Sequence, residues 1–319
     1  MTPSVPEYLG HQIHVIDTHF MEVSQLSGTY VIQDEHIALI ESGPSPSVPY
    51  ILAGLEKLNI KPEAIHYIIV THIHLDHAGG VGVLIEHCPQ AKVVVHPRGA
   101  RHLADPSRLI ESAKAVYQEK FTRLFHPIKP VPEERLLIKE DGETLALGSE
   151  RTLHFIDTPG HARHHFSIYD PVSKGIFAGD SFGIRYPKLE ALGGQLYIPV
   201  TTPNQFDPEA MKHSMERMMT LGIERIYLGH YSMVNQVSKV HQQVTAWLER
   251  FVREGEEAYA KNLSVQQLAD RLLKLLLDDQ KARYGVQIPT DSQLFASIAG
   301  DAHLNAMGIY DYLSKQHQS

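Results

Sequence analysis

The sequence predicts two parts: a mixed α/β body over residues 1–236 and an all-helical extension over 237–319. Two observations lead there. Short apolar runs rich in β-branched residues, each closed by turn residues, recur up to residue 230 and alternate with helical stretches. Beyond residue 235 the strand signals stop and long stretches of helical spacing take over.

The first strands fall in HQIHVIDTHF (11–20), GTYVIQDE (28–35) and HIALIESG (36–43), where β-branched and aromatic residues lie between turn signals. PSVPYILAGLEKLNI (46–60) reads as a helix with Ile51, Leu55 and Leu58 on one face. AIHYIIVTH (64–72) is a continuous apolar run, as expected of a strand buried on both sides. A short helix stopped by Pro89 and a second buried strand, AKVVVHP (91–97), follow. Residues 100–126 read as helical with a break at Pro106, and three prolines in PIKPVPEER (127–135) end that stretch. ERLLIKEDGETLALG (134–148) predicts a hairpin around Asp141 and Gly142. Further strands are expected in residues 151–161, 165–180 and 223–230, with a helix between them capped by Asp207 and ended by Gly222. In the extension, 237–261 is helical, and 264–279 opens with a capping box of Ser264 and Gln267. Residues 291–315 are expected to be helical in two pieces.

The chain carries 29 Lys and Arg against 37 Asp and Glu, a formal net charge of -8, and no basic run. That balance argues against a nucleic-acid partner, which needs cations to neutralise phosphates. A single cysteine, Cys88, excludes an intrachain disulfide and cysteine zinc clusters, and reads as a small buried residue. No apolar stretch approaches the roughly 20 residues that span a bilayer, and no signal peptide is visible in the first 17 residues. A cytoplasmic protein without a membrane partner is the expectation.

The chemistry concentrates in THIHLDHAGG (71–80). The chain holds 21 His in 319 residues, and at its own His and Asp frequencies an H-x-H-x-D-H pattern arises by chance in about one chain in two hundred. Placement makes the pattern more specific. His72 and His74 lie just past a strand end, and residues two apart on an extended backbone point the same way, so both can converge on one ion. Asp76 and His77 follow as the chain turns helical and aim elsewhere, at a second ion. Gly79 and Gly80 leave room for the backbone to approach the site. Three further candidates, His161, Asp180 and His230, each follow an apolar strand with a glycine immediately before them.

THIHLDHAGG, TPGHARHH (158–165), AGDS (178–181) and LGHYS (228–232) resemble, in order, the successive motifs of the metallo-β-lactamase-fold hydrolase superfamily. The resemblance covers residues 12–235. It implies an α+β chain built as a four-layer αββα sandwich, here with the helical C-terminal extension. It further implies that His72, His74 and His161 bind one metal, that Asp76, His77 and His230 bind another, and that Asp180 bridges them. Zinc suits such a His and Asp set, and iron or manganese tolerate it. His165 is either a residue supporting the ligands or, like His164, an ordinary strand or surface histidine. Glu41 stands where many members have Asp and is expected to affect loop packing rather than chemistry.

Two metal ions imply a metal-bridging hydroxide that attacks an ester, thioester or lactone carbonyl of a small acyl substrate. Asp76 is the candidate to orient the hydroxide or pass a proton to the leaving group. The presence of His77 and Asp180 argues against a true β-lactamase, and His74 argues against a flavodiiron oxygen reductase. What remains resembles the glyoxalase II-like hydrolases and the lactonases. A phosphodiesterase on the same dinuclear site and a non-catalytic metal-bound sensor or interaction protein are the alternatives. Candidate substrate-wall residues are Tyr117, Phe121, Phe182, Tyr186, Tyr197 and Tyr231, with Arg185 to hold an anionic group. Each of the aromatics has core packing as its competing role. Residues 107–130 are the candidate lid. In the extension, Leu268, Leu272, Leu273 and Leu276 either pack on the body or form a homodimer interface.

Overall fold

A computed structural model describes residues 4–317. The chain divides into two compact units: one runs through Asp157 and includes His164–Gly179 and Gly222–Asn235, and the other holds Thr158–Arg163, Asp180–Leu221 and the chain from Gln236 onward.

The first unit contains two sheets. Its seven-stranded sheet runs in sequence order: β1 (Glu7–Tyr8), β2 (Ile13–Asp17), β3 (Gly28–Ile32), β4 (Ile37–Ile40), β5 (Ile65–Ile69), β6 (Lys92–Val95) and β7 (Leu136–Ile138). β1 to β4 pair antiparallel, and β4 to β7 pair parallel. Parallel neighbours need crossovers, and helices supply them. α1 (Val48–Lys57) joins β4 to β5, while α2 (Leu75–Ala78) and α3 (Val81–His87) join β5 to β6. α4 (Pro97–Ala104), α5 (Ser107–Tyr117) and α6 (Phe121–Phe125) join β6 to β7.

The second sheet begins with β8 (Thr144–Ala146), β9 (Thr152–Asp157), β10 (Phe166–Asp170) and β11 (Gly175–Gly179). The chain then enters the second unit, where β12 (Ile184–Arg185) and β13 (Tyr197–Ile198) form an antiparallel ribbon. It returns to complete the sheet with β14 (Arg225–Leu228), parallel to β11, and β15 (Met233–Val234). The strand order is β15-β14-β11-β10-β9-β8.

Strand periodicity explains the uninterrupted apolar runs. Neighbouring residues point to opposite faces, and both faces of the first sheet are covered. Ile16, Val31, Leu39, Ile68 and Val93 pack with the helical residues Ile51, Leu55, Leu84 and Leu103. Their neighbours Val15, Tyr30, Ile40, Ile69 and Val94 pack with Phe155, Phe166, Ile168, Phe177 and Tyr227 of the second sheet. The unit is therefore layered helices, sheet, sheet.

The hairpin expected around Asp141 and Gly142 is not formed. β7 closes the first sheet against β6, and β8 edges the second sheet against β9. The turn at Gly142 (φ +81°) is the passage between sheets. Its N–H donates to the Phe155 carbonyl at 2.9 Å. Two strands and a turn look alike in sequence whether they pair with each other or with distant partners.

The second unit adds α7 (Pro187–Glu190), α8 (Pro208–Met219), α9 (Val237–Ala260), α10 (Val265–Tyr284) and α11 (Gln293–Gln316). Asp207 caps α8 through the Ala210 N–H at 3.0 Å. Both arms of the Ser264–Gln267 capping box are made, at 2.8 and 3.2 Å. α11 is one helix rather than the expected two pieces. Gly300 and Gly308 each cost it about 1 kcal/mol of helix propensity, but Ile298, Ala302, Ile309 and Leu313 bury one continuous face. In α10, Leu268, Leu272 and Leu276 are buried and Leu273 half-buried. Among the described residues no helix is long and apolar enough to cross a membrane.

Candidate metal centre

β5 delivers the chain to Thr71 and His72, where the backbone bends, and it is extended at His74 (φ -62°, ψ 148°) before α2 begins. The rings of His72 and His74 meet edge to face, with centroids 4.6 Å apart and planes at 85°. Asp76 and His77 come from the single turn of α2, and the His77 ring lies 4.1 Å from that of His72 between centroids, closer than His74 does. Asp76 Oδ2 lies 3.6 Å from His77 Nε2 and 3.7 Å from His230 Nε2. His230 comes from just beyond β14. Two donors about 2.1 Å from one ion and about 110–120° apart are about 3.4–3.6 Å from each other. These three ligand atoms have the spacing of donors around a common centre.

The hydrogen bonds on the far side of each ring fit the same purpose. His230 Nδ1 lies 3.2 Å from the Leu26 carbonyl, which can only accept, so Nδ1 carries the proton and Nε2 presents its lone pair. His72 Nδ1 lies 3.0 Å from the Thr71 hydroxyl. That hydroxyl in turn makes a short bond to Glu41 Oε1. Its one proton goes to the carboxylate, so it accepts from His72 Nδ1–H. Glu41 Oε1 also stands 3.3 Å from His77 Nδ1. One buried carboxylate thus reaches two of the imidazoles, directly and through Thr71. Sequence reasoning assigned Glu41 to loop packing and missed this. The signal was available: an acidic residue closing a buried strand beside the one that leads into the histidine motif.

His165 stacks on His72, with centroids 4.9 Å apart and planes at 30°, and His164 meets His74 edge-on at 5.3 Å. Both are buried, so neither is a surface histidine. His74, Asp76 and His230 are each partly exposed, which leaves the group open to solvent on one side.

In the second unit, His161 and Asp180 are brought together, with Nε2 3.4 Å from Oδ2 and both side chains buried. His161 Nδ1 lies 2.9 Å from the Val200 carbonyl, which again leaves the lone pair on Nε2.

Five of the expected substrate-wall residues are buried: Phe121, Phe182, Tyr186, Tyr197 and Tyr231. Phe121 packs in an apolar cluster with Phe20, Leu75 and Phe125, and Tyr231 packs between the sheets. Tyr186 donates to Asp301 Oδ2 at 2.7 Å. Burial, and then the Asp301 charge, push its phenol well above the ordinary range. Burial and Glu190 likewise raise Tyr197, so neither supplies a phenolate near neutral pH. Arg185 is gripped by Glu190 at 3.1 and 2.5 Å. Tyr117, the last residue of α5, is half-buried against Phe125.

Comparison with known proteins agrees with this geometry. The model of the metallo-beta-lactamase superfamily matches residues 26–230, a span that contains every residue of the candidate centre. The chain belongs to that superfamily and has its α+β fold, with mixed sheets and a helical C-terminal part. It is 29% identical over 227 residues to the metallo-beta-lactamase fold-containing protein ST1585 of Sulfurisphaera tokodaii, covering 70% of this chain and 79% of that protein. The crystal structure of ST1585 superposes with a TM-score of 0.66 at 23% identity, covering 94% of this chain and 98% of that one. The metallo-beta-lactamase family protein TTHA1429 of Thermus thermophilus gives 0.65 at 18% identity, covering 97% and 95%. A hydroxyacylglutathione hydrolase of Legionella pneumophila is 30% identical over 114 residues, which is 36% of this chain and 32% of that protein.

Proposed function

We propose that the protein is a dinuclear metal-dependent hydrolase acting on an ester, thioester or lactone of a small acyl substrate. The observation that carries this is the triangle of Asp76, His77 and His230, whose three ligand atoms meet at metal-ligand spacing. In this reading those three would hold one ion, His72, His74 and His161 would hold the other, and Asp180 would serve both. Zinc is the first choice, and iron and manganese fit the same donors. When bound, such ions lower the pKa of a water and polarise a carbonyl.

The chain's own residues do the rest. Glu41, Thr71 and the Leu26 and Val200 carbonyls fix which nitrogen carries the proton in His77, His72, His230 and His161. Asp76, 19% exposed, sits at the open side, where its carboxylate can take a proton from the nucleophile and return it to the leaving group. The partial match to a hydroxyacylglutathione hydrolase supports an acyl substrate, and the net charge of -8 disfavours a nucleic acid. Tyr117 is the wall residue with surface to offer.

Elemental analysis should find close to two metals per chain. A panel of thioesters, lactones and phosphodiesters, run on protein loaded separately with zinc, iron and manganese, should show acyl turnover that His72→Ala abolishes. Phosphodiester turnover alone would assign the site to a phosphodiesterase. Metal without turnover of any substrate would assign it to a sensor.

A further inference from the structure

The three long helices of the C-terminal segment each direct one side-chain amide at the same short stretch of backbone. Gln243 of α9 accepts from the Tyr197 N–H at 2.9 Å. Gln280 of α10 accepts from the Gln195 N–H at 3.1 Å and donates to the Gln195 carbonyl at 3.0 Å. Asn305 of α11 accepts from the Thr201 N–H at 2.9 Å, and the Thr201 hydroxyl donates to the Asn305 carbonyl at 2.8 Å. Gln280 and Asn305 are 0% and 2% exposed, on helix faces otherwise lined by Leu, Ile, Ala and Gly. Apolar residues would fill those positions at no desolvation cost, whereas a buried amide is tolerated only when its bonds are made. Gly308 brings α11 against the same stretch, since a Cβ there would lie 2.6 Å from the Thr201 carbonyl carbon.

The stretch so held, 195–201, includes Val200, whose carbonyl accepts the His161 Nδ1 proton at 2.9 Å. Thr202, the next residue on, donates its hydroxyl to the His161 carbonyl at 3.2 Å. Ring and backbone of His161 are thus both tied to a segment whose own position is set by α9, α10 and α11.

We infer that Gln243, Gln280 and Asn305 are positioning residues for His161. The C-terminal helices hold residues 195–201 so that the Val200 carbonyl fixes the tautomer and direction of the imidazole. The inference rests on the proposed role of His161 as a metal ligand. It gives the helical extension a task at the metal centre that simple packing would not require.

The test uses the full chain with Gln243→Leu, Asn305→Leu and the conservative Gln243→Glu, which keeps the acceptor for Tyr197. Zinc affinity is measured by chelator competition that resolves the two ions, and the His161 Nδ1 proton is followed by NMR in metal-free protein. Loss of a residue that orients a ligand weakens metal binding by about 10–100-fold. The expected result is a loss of about tenfold or more at one ion only, with exchange-broadening of the His161 Nδ1 proton and recovery in Gln243→Glu. Should Asn305→Leu fail to fold, Gln243→Leu, at a half-buried position, decides. Variants that lose thermal stability yet bind both ions as the parent does would overturn the inference alone. A parent chain that takes up no metal would overturn it together with the proposed function.

Discussion

Gly229→Ala places a methyl carbon 2.6 Å from Cε1 and 3.2 Å from Nδ1 of His77. Carbon atoms in contact settle at about 3.5–4.0 Å, so the ring has to withdraw by about 1 Å. The ring is confined on its other sides. His72 lies 4.1 Å away between centroids, His230 lies 5.2 Å away, and Glu41 Oε1 is 3.3 Å from Nδ1. Donor distances at a metal tolerate only about ±0.2 Å, so a shift of about 1 Å removes His77 from its triangle with Asp76 and His230. The backbone bond from Gly229 N–H to the Gly179 carbonyl, 3.2 Å, needs no side chain. The sheet should therefore persist, at an overpacking cost of about 1–3 kcal/mol. Metal analysis after dialysis should fall toward about one ion per chain, turnover should collapse, and circular dichroism should stay that of the parent. A folded variant that keeps two ions and full turnover would refute the assignment of His77 as a ligand.

Burial holds the Cys88 thiol up at about 12 against an ordinary 9.0, so in alkali the unfolded chain ionises first. Stability falls from about pH 9 toward 12, by about 2 kcal/mol at pH 10.5. Denaturant melts should show that slope flattened in Cys88→Ala, and equal slopes in the two proteins would refute it. On α11, a Cβ at Gly300 meets nothing within 4 Å, so Gly300→Ala should stabilise by about 0.5–1 kcal/mol. On α9, a Cβ at Gly255 falls 2.2 Å from Ile309 Cγ2, so Gly255→Ala should destabilise by about 1–3 kcal/mol. Thermal denaturation ranks the pair, and the reverse order would refute the packing of α9 on α11.

The features legible in the sequence were local. Val15 and Ile16, or Leu39 and Ile40, lie on opposite faces of one strand, and an unbroken apolar run announces that both faces are covered. The caps at Asp207 and Ser264 were legible because their partners lie three residues on. What escaped depends on residues far apart in the chain. The segment around Gly142 reads as a hairpin because nothing local says that β7 and β8 join different sheets. For Phe182, Tyr186 and Tyr197 the sequence left substrate wall and core packing both open, because it gives hydrophobicity but not burial. Glu41 was misjudged for the same reason, since its partners Thr71 and His77 are 30 and 36 residues away.

The glycines before His161, Asp180 and His230 were the part of the constellation whose physical reason sequence could not supply. None of the three positions has room for a side chain. A Cβ at Gly160, where φ is +130°, would lie 2.4 Å from the Met211 backbone. One at Gly179, φ +48°, would lie 2.5 Å from both His165 Nε2 and Thr71 Oγ1. One at Gly229 would strike His77. Gly179 and Gly229 thus do more than let the chain turn. Their bare backbones form the surface against which His165, Thr71 and His77 rest, and Thr71 and His77 are the two groups that Glu41 bonds. Within the first unit, His77 and the Thr71 hydroxyl are packed against main chain, which cannot change rotamer. That packing limits how far the imidazoles can swing and makes the glycines as much a part of the centre as the histidines.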